Sequence, residues 1–264
     1  MGRVTLERDG ALAVITIDRP DKLNALTLAM YEQLGEAFAQ VRDDPRIGVA
    51  ILTGAGDRAF CVGADLGESI PALTEGRFDI SEWDAAHQKH SGLDKPVIAA
   101  INGLCLGGGF EIMLSTDIRV VSADASFALP ETGVGVVPAG GTLVRLIRQI
   151  PYAFAMDLML RGDQIDAATA ERYGLVNEVV PSADLQETAH RIAGELLSKS
   201  RTAVATIKNA VRTLADLPLE DAFRLEARLG QAAFTSDDAR EGLAAFSERR
   251  PPAFPSHRRG DIGS

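Results

Sequence analysis

Val97-Ile98-Ala99-Ala100-Ile101-Asn102-Gly103-Leu104-Cys105-Leu106-Gly107-Gly108-Gly109-Phe110-Glu111 is the stretch on which the fold turns. Its β-branched apolar run reads as a strand, its three consecutive glycines as a tight turn, and Phe110-Glu111-Ile112-Met113-Leu114 as the start of a helix. Each glycine loses more backbone entropy on folding than any other residue and brings no side chain to the core. Three in a row therefore need a reason. One is close approach of a ligand to the free N–H groups of a helix N-terminus, where the dipole favours negative charge. The other is a helix crossing a sheet at short range, and this stretch alone leaves both open. Glu111 falls in the first turn of the same helix.

A second stretch has the same form. Ala59-Phe60-Cys61-Val62-Gly63-Ala64-Asp65-Leu66 follows the apolar run at 49–53, so another strand ends in a loop of small residues. Two such loops can aim two N–H groups at one point, which is what an oxyanion hole requires.

With the Gly63-Ala64-Asp65 loop and the Gly107-Gly108-Gly109-Phe110-Glu111 turn at this spacing, the sequence resembles the crotonase family, also called the enoyl-CoA hydratase/isomerase superfamily. The resemblance runs from Asp18-Arg19-Pro20-Asp21-Lys22-Leu23-Asn24-Ala25-Leu26 to Glu241-Gly242-Leu243-Ala244-Ala245-Phe246-Ser247-Glu248-Arg249-Arg250. It implies an α/β fold built as a spiral of ββα turns over residues 1–180. A helical C-terminal oligomerisation region at 181–250 and a tail at 251–264 would follow. It implies a homotrimer or a dimer of trimers, and an acyl-CoA thioester as substrate. Coenzyme A is then part of the substrate, with no separate cofactor and no metal.

By the motif match, the two oxyanion donors would be the amides of Ala64 and Gly108. Hydratases of the family hold a water between two glutamates, one in the triple-glycine turn and one in a Pro-Glu pair about twenty residues later. Glu111 and Glu131 stand at those places. Adding water to a conjugated double bond needs one group to take a proton from water and one to give a proton to the α-carbon. The residues leave open which does which; the working assignment has Glu111 as base and Glu131 as acid. For the CoA moiety the match points to Lys22, Asn24, Ala25, Leu26, Asp65 and Leu66. Phe246 and Arg249 would reach the nucleotide end from a neighbouring subunit, with Arg in place of the family's Lys.

The sequence departs from the family in two places. Pro138-Ala139-Gly140-Gly141-Thr142 is one residue shorter than the usual Pro-Gly-Ala-Gly-Gly-Thr beside the acyl pocket. Gly67-Glu68-Ser69 lacks the lysine that often follows Gly-Ala-Asp. The resulting expectation is hydration of a trans-2-enoyl-CoA to a 3-hydroxyacyl-CoA. The alternatives are an isomerase, a dehydratase of a specialised acyl-CoA, and a non-catalytic binding or scaffold relative.

Composition narrows the partners. A net charge of -10 over 264 residues argues against nucleic acid or an anionic membrane, both of which select basic faces. With only Cys61 and Cys105 there is no disulfide framework, and no apolar run is long enough to span a bilayer. A reducing, cytoplasmic setting is expected, since Met1-Gly2-Arg3-Val4 leads directly into strand pattern.

The remaining elements follow from periodicity and punctuation. A hairpin turns at Asp9-Gly10, and Thr27 caps a helix to about residue 41. The pattern is broken over 66–93, where a substrate-facing wall with a polar helix at 81–90 is expected. His87 and His90 are expected on its solvated face. Pro151 should open one helix at its first position, and Asp166 should cap another. Four helices fill 183–246.

Overall fold

The computed structural model describes residues 2–260. In chain order, β1 (Arg3–Asp9) and β2 (Leu12–Asp18) form the hairpin, followed by α1 (Leu28–Asp43). Then come β3 (Val49–Gly54), β4 (Ala59–Cys61) and α2 (Ser69–Thr74). The decisive stretch forms β5 (Val97–Ile101), β6 (Leu104–Leu106) and α3 (Gly108–Met113). Next are β7 (Ile118–Ser122), β8 (Ser126–Ala128), α4 (Thr142–Gln149), α5 (Tyr152–Arg161), β9 (Ile165–Asp166), α6 (Ala167–Arg172) and β10 (Glu178–Val180). The chain ends in α7 (Leu185–Leu197), α8 (Arg201–Leu214), α9 (Leu219–Phe234) and α10 (Asp237–Glu248).

Two sheets result, a six-stranded one in the order β1-β2-β3-β5-β7-β10 and a four-stranded one in the order β4-β6-β8-β9. β3-β4-α2, β5-β6-α3 and β7-β8-α4 are successive turns of a spiral, each adding one parallel strand to each sheet. The long strands are buried on both faces. Val49, Ile51, Ile98, Ala100 and Val120 pack with Leu185, Ala189 and Ala193 of α7, while Ala50, Leu52, Val97, Ala99, Ile101 and Val121 join the main core. Such double burial explains why they read as continuous apolar runs rather than as alternating ones.

The three glycines divide the work between them. Gly107 has φ +51°, a left-handed value that only glycine adopts cheaply, and its amide donates to Ala128 O at 3.0 Å. Gly109 packs so closely on β4 that a β-carbon there would stand 2.1 Å from Cys61 O. Close crossing is therefore one of the reasons for the triplet. Gly108, between them, is free for the other. At six residues α3 is too short to hold itself together, and Arg119 secures its far end. The buried Arg119 guanidinium donates to Met113 O, Leu175 O and Gln149 Oε1.

Several expectations need correction. In place of a polar helix over 81–90, there is a 3-10 turn at Ile80–Trp83, capped by Asp79 and Glu82, and then irregular turns. His87 is fully buried, so it does not lie on a solvated face. The apolar partners are Trp83 and Ala86, which draw the segment inward where its charges suggested an outward face. Pro151 is the residue before α5 rather than its first. Within the expected tail, Ser256 is buried and its amide donates to Asp238 Oδ1 at 2.9 Å. Residues 261–264 of that tail lie outside the described residues.

Gly109→Ala should cost about 3 kcal/mol of stability, the upper range for overpacking a well-filled site. Urea denaturation checks this, with Gly133→Ala, where a β-carbon meets nothing within 4 Å, as the control.

Candidate active site

The loop before α1 and the loop after β4 meet as neighbouring strands at a single bridge between Leu26 and Ala64. Leu26 N donates to Gly63 O and Asp65 N donates to Leu26 O, both at 2.8 Å. In a parallel bridge of this form the flanking residues make the bonds, so the Ala64 N–H points away from Leu26. Gly108 opens α3, where a first-turn N–H has no acceptor inside the helix. The two amides are close together, because a β-carbon placed on Gly108 would lie 3.7 Å from Ala64 N. The same point lies 2.7 Å from the Tyr31 hydroxyl.

Glu111 is buried one turn into α3, and its Oε1 accepts from Gly140 N at 2.6 Å. Burial, then the nearby charge of Glu131, pushes its pKa up to about 7, against the hydrogen bonds from Thr142 and Gly140. Glu131 sits in the 3-10 turn Pro130–Val134. Its Oε1 would be 3.1 Å from a β-carbon on Gly107, its Oε2 is buried without a hydrogen-bond partner, and burial raises its pKa. Two carboxyl groups, both with raised pKa values, thus stand near two neighbouring amides.

An aromatic block completes the recess. Tyr31 of α1 stacks on Trp83 at 4.1 Å between ring centroids and lies 5.7 Å from the His87 ring. Burial drives the Tyr31 hydroxyl pKa well up, reinforced by Cys61, Glu111 and Glu131. Of these, Tyr31 and Trp83 escaped the sequence reading, and His87 was expected on a solvated face. A signal was present for two of them: Tyr31 interrupts the apolar stripe of Met30, Leu34, Phe38 and Val41, and His87 stands one helical turn after a tryptophan.

The expected CoA residues divide by location. Lys22 is exposed and Leu66 is 79% exposed, whereas Ala25 and Leu26 are buried beside them on the bridged loops. Asp65 pairs with Arg19 at 2.6 Å, which lowers its pKa, and accepts from Gly67 N. The Asn24 side chain is occupied inside the loop, accepting from Arg19 N and donating to Ala55 O and Ala59 O. It braces the loop rather than facing outward. Phe246, 85% exposed, and Arg249 lie at the end of α10, which packs on α9 and the 3-10 turn Pro255–Gly260. No group of metal-ligating side chains occurs among the described residues, and no helix there is long and apolar enough to cross a membrane.

The model of the enoyl-CoA hydratase/isomerase family matches residues 7–257. The chain belongs to this family, the crotonase family. It is 39% identical over 258 residues to carnitinyl-CoA dehydratase of Escherichia coli K12, covering 94% of this chain and 97% of that one. Enoyl-CoA hydratase from Bacillus anthracis superposes with a TM-score of 0.90 at 34% identity, covering 96% of this chain and 99% of that one. Enoyl-CoA hydratase from Mycobacterium tuberculosis H37Rv gives 0.88 at 34%, with the same coverage.

Because burial raises the Glu111 pKa, the folded protein holds its proton more tightly than the unfolded chain. Its ionisation therefore removes stability as pH rises from the ordinary carboxylate range through about 7. Glu111→Gln should raise stability by about 2 kcal/mol at pH 8 and by much less at pH 4. Thermal melts at the two pH values check the sign.

Proposed function

We propose that the protein adds water across the double bond of a trans-2-enoyl-CoA to give a 3-hydroxyacyl-CoA. The observation that supports this reading is the buried Glu111 carboxyl group feeling the charge of Glu131, with the Ala64 and Gly108 amides as neighbours. In the proposed reaction those amides donate to the thioester oxygen as it gains enolate charge. Preorganised donors of this kind are worth about 2.7–4 kcal/mol each to the transition state. Ionised Glu111 takes a proton from water as its oxygen bonds to the β-carbon. The displaced π pair moves toward the thioester, and protonated Glu131 delivers its proton to the α-carbon. Atoms and charge balance without metal or redox cofactor.

Lys22, Ala25, Leu26, Asp65 and Leu66 would form the CoA wall, with Asn24 contributing through the loop it braces. Phe246 and Arg249 would serve a neighbouring subunit. Exposed Ile207, Val211, Phe223, Phe234 and Leu243 on α8 to α10 support a homotrimer or a dimer of trimers, since exposed apolar side chains of this size mark contact surfaces.

The carnitinyl-CoA dehydratase relative, at 39% identity, favours a second reading in which the same groups work in reverse on a decorated 3-hydroxyacyl-CoA. Protonated Glu111 would then protonate the leaving hydroxyl and ionised Glu131 would take the α-proton. An isomerase is the weaker choice, because one glutamate suffices for it.

Loss of the conjugated-thioester absorbance on mixing with a short trans-2-enoyl-CoA, with 3-hydroxyacyl-CoA as product, is the expected result. Glu131→Gln should reduce it by about 10²-fold or more. The kcat/KM for hydration should fall as pH drops below about 7, where Glu111 gains its proton. The kcat/KM for dehydration should follow the same pH profile, because the overall reaction takes up no proton and both directions use the glutamate pair carrying a single proton. Full turnover by Glu131→Gln, or a hydration rate that does not fall below about pH 7, would refute these assignments.

A further inference from the structure

His87 is a buried polar residue that the two-glutamate scheme does not use. Its Nδ1 lies 2.9 Å from Trp83 O, and a carbonyl only accepts, so Nδ1 carries the proton and Nε2 presents a lone pair. That Nε2 is buried and has no hydrogen-bond partner. A buried acceptor without a donor is costly enough to call for an explanation.

Its position supplies one. The point where a β-carbon on Gly140 would stand is 2.4 Å from His87 Nε2 and 2.7 Å from Glu111 Oε2. The neighbouring donor, Gly140 N, is committed to Glu111 Oε1. Two acceptors, one on a carboxylate and one on a neutral imidazole, therefore converge with nothing from the chain to donate to both. The ring is held firmly in this pose. His87 N donates to Trp83 O, the adjacent Gln88 donates through Nε2 to Ser115 Oγ, and Arg145 Nη2 donates to Gln88 O. Burial lowers the His87 pKa to about 4, so the imidazole stays a neutral acceptor through the working range.

We propose that His87 is a positioning residue for the reacting water, its Nε2 accepting the hydrogen that the water keeps while Glu111 takes the other. This rests on the hydratase reading above. An enoyl thioester has no O–H or N–H at its reacting carbons, whereas water has two, matching the two acceptors. In hydration the O–H toward Glu111 breaks, the oxygen bonds to the β-carbon, and the O–H toward His87 survives as the hydrogen of the product hydroxyl. His87 neither gains nor loses a proton. In the reverse direction that hydroxyl donates to Nε2 and accepts from protonated Glu111, which orients it for departure.

The test separates water addition from enolate formation. Exchange of the α-protons of butyryl-CoA in deuterium oxide requires the enolate and Glu131 but no added water. His87→Phe should lower kcat for hydration of crotonyl-CoA by about 10- to 100-fold, the effect of losing one hydrogen bond to a reacting group. Exchange should stay within about twofold of wild type. His87→Gln, whose side-chain oxygen can accept, should recover most of the hydration rate. Equal loss of hydration and exchange in His87→Phe, or no loss of either, overturns the positioning role while leaving the hydratase reading intact. Exchange without hydration by the wild-type protein overturns the hydratase reading, and the role of His87 with it.

Discussion

The approach of α3 to β4 is the constraint on which the rest of the structure depends. A six-residue helix has no stability of its own, yet it sets the direction of the Gly108 amide and the place of Glu111. Gly109 lets its first turn sit against the Cys61 carbonyl, and Arg119 satisfies carbonyls at its other end. Clamped at both ends, the helix transmits the rigidity of two largely parallel sheets to the Gly108 amide and the Glu111 carboxyl group. Loosening either clamp would leave the carboxyl group and the amide in place on average but without a fixed mutual geometry, and that geometry is what preorganised electrostatics requires.

Burying Glu111 follows from the same constraint and runs against stability. A carboxyl group in the core resists ionisation, and the second one at Glu131 adds to that resistance. The chain partly offsets the cost with backbone donors from the Gly140 loop, which is why that loop must come so close. A group held near half-protonation at neutral pH can serve as base in one direction and acid in the other. Burial at this point thus lowers stability and adjusts the readiness of the carboxyl group to take and give a proton.

Much of the architecture was legible because its local rules agree. The Asp9-Gly10 hairpin, the Thr27 cap, the Asp166 cap and the four C-terminal helices each follow from neighbours in sequence. Glu111 and Glu131 were legible through the family motif, whose spacing survives because both ride on successive turns of one spiral. Residues 66–93 were not legible for a physical reason. Their burial is decided by Tyr31, some fifty residues away, whose ring receives Trp83 and brings His87 inward. Helical periodicity sees only the charges of Glu82, Asp84 and Lys89. Asn24 shows the opposite case: a polar residue in a loop is buried and ties that loop, through Arg19 N, to Ala55 O and Ala59 O at the two ends of the β3–β4 connection.

The shortened Pro138-Ala139-Gly140-Gly141-Thr142 loop connects these observations. With one residue fewer before α4, the Gly140 backbone lies against both Glu111 and His87, and no side chain fits between them. A glycine there keeps the space between the imidazole and the carboxyl group clear of any side chain. The departure from the family pattern and the buried histidine are therefore parts of one arrangement. The residue type required at position 140 follows from the presence of a ring at position 87. The wall around the two glutamates is thus set by this loop, while the two sheets and the clamp on α3 carry the glutamates themselves.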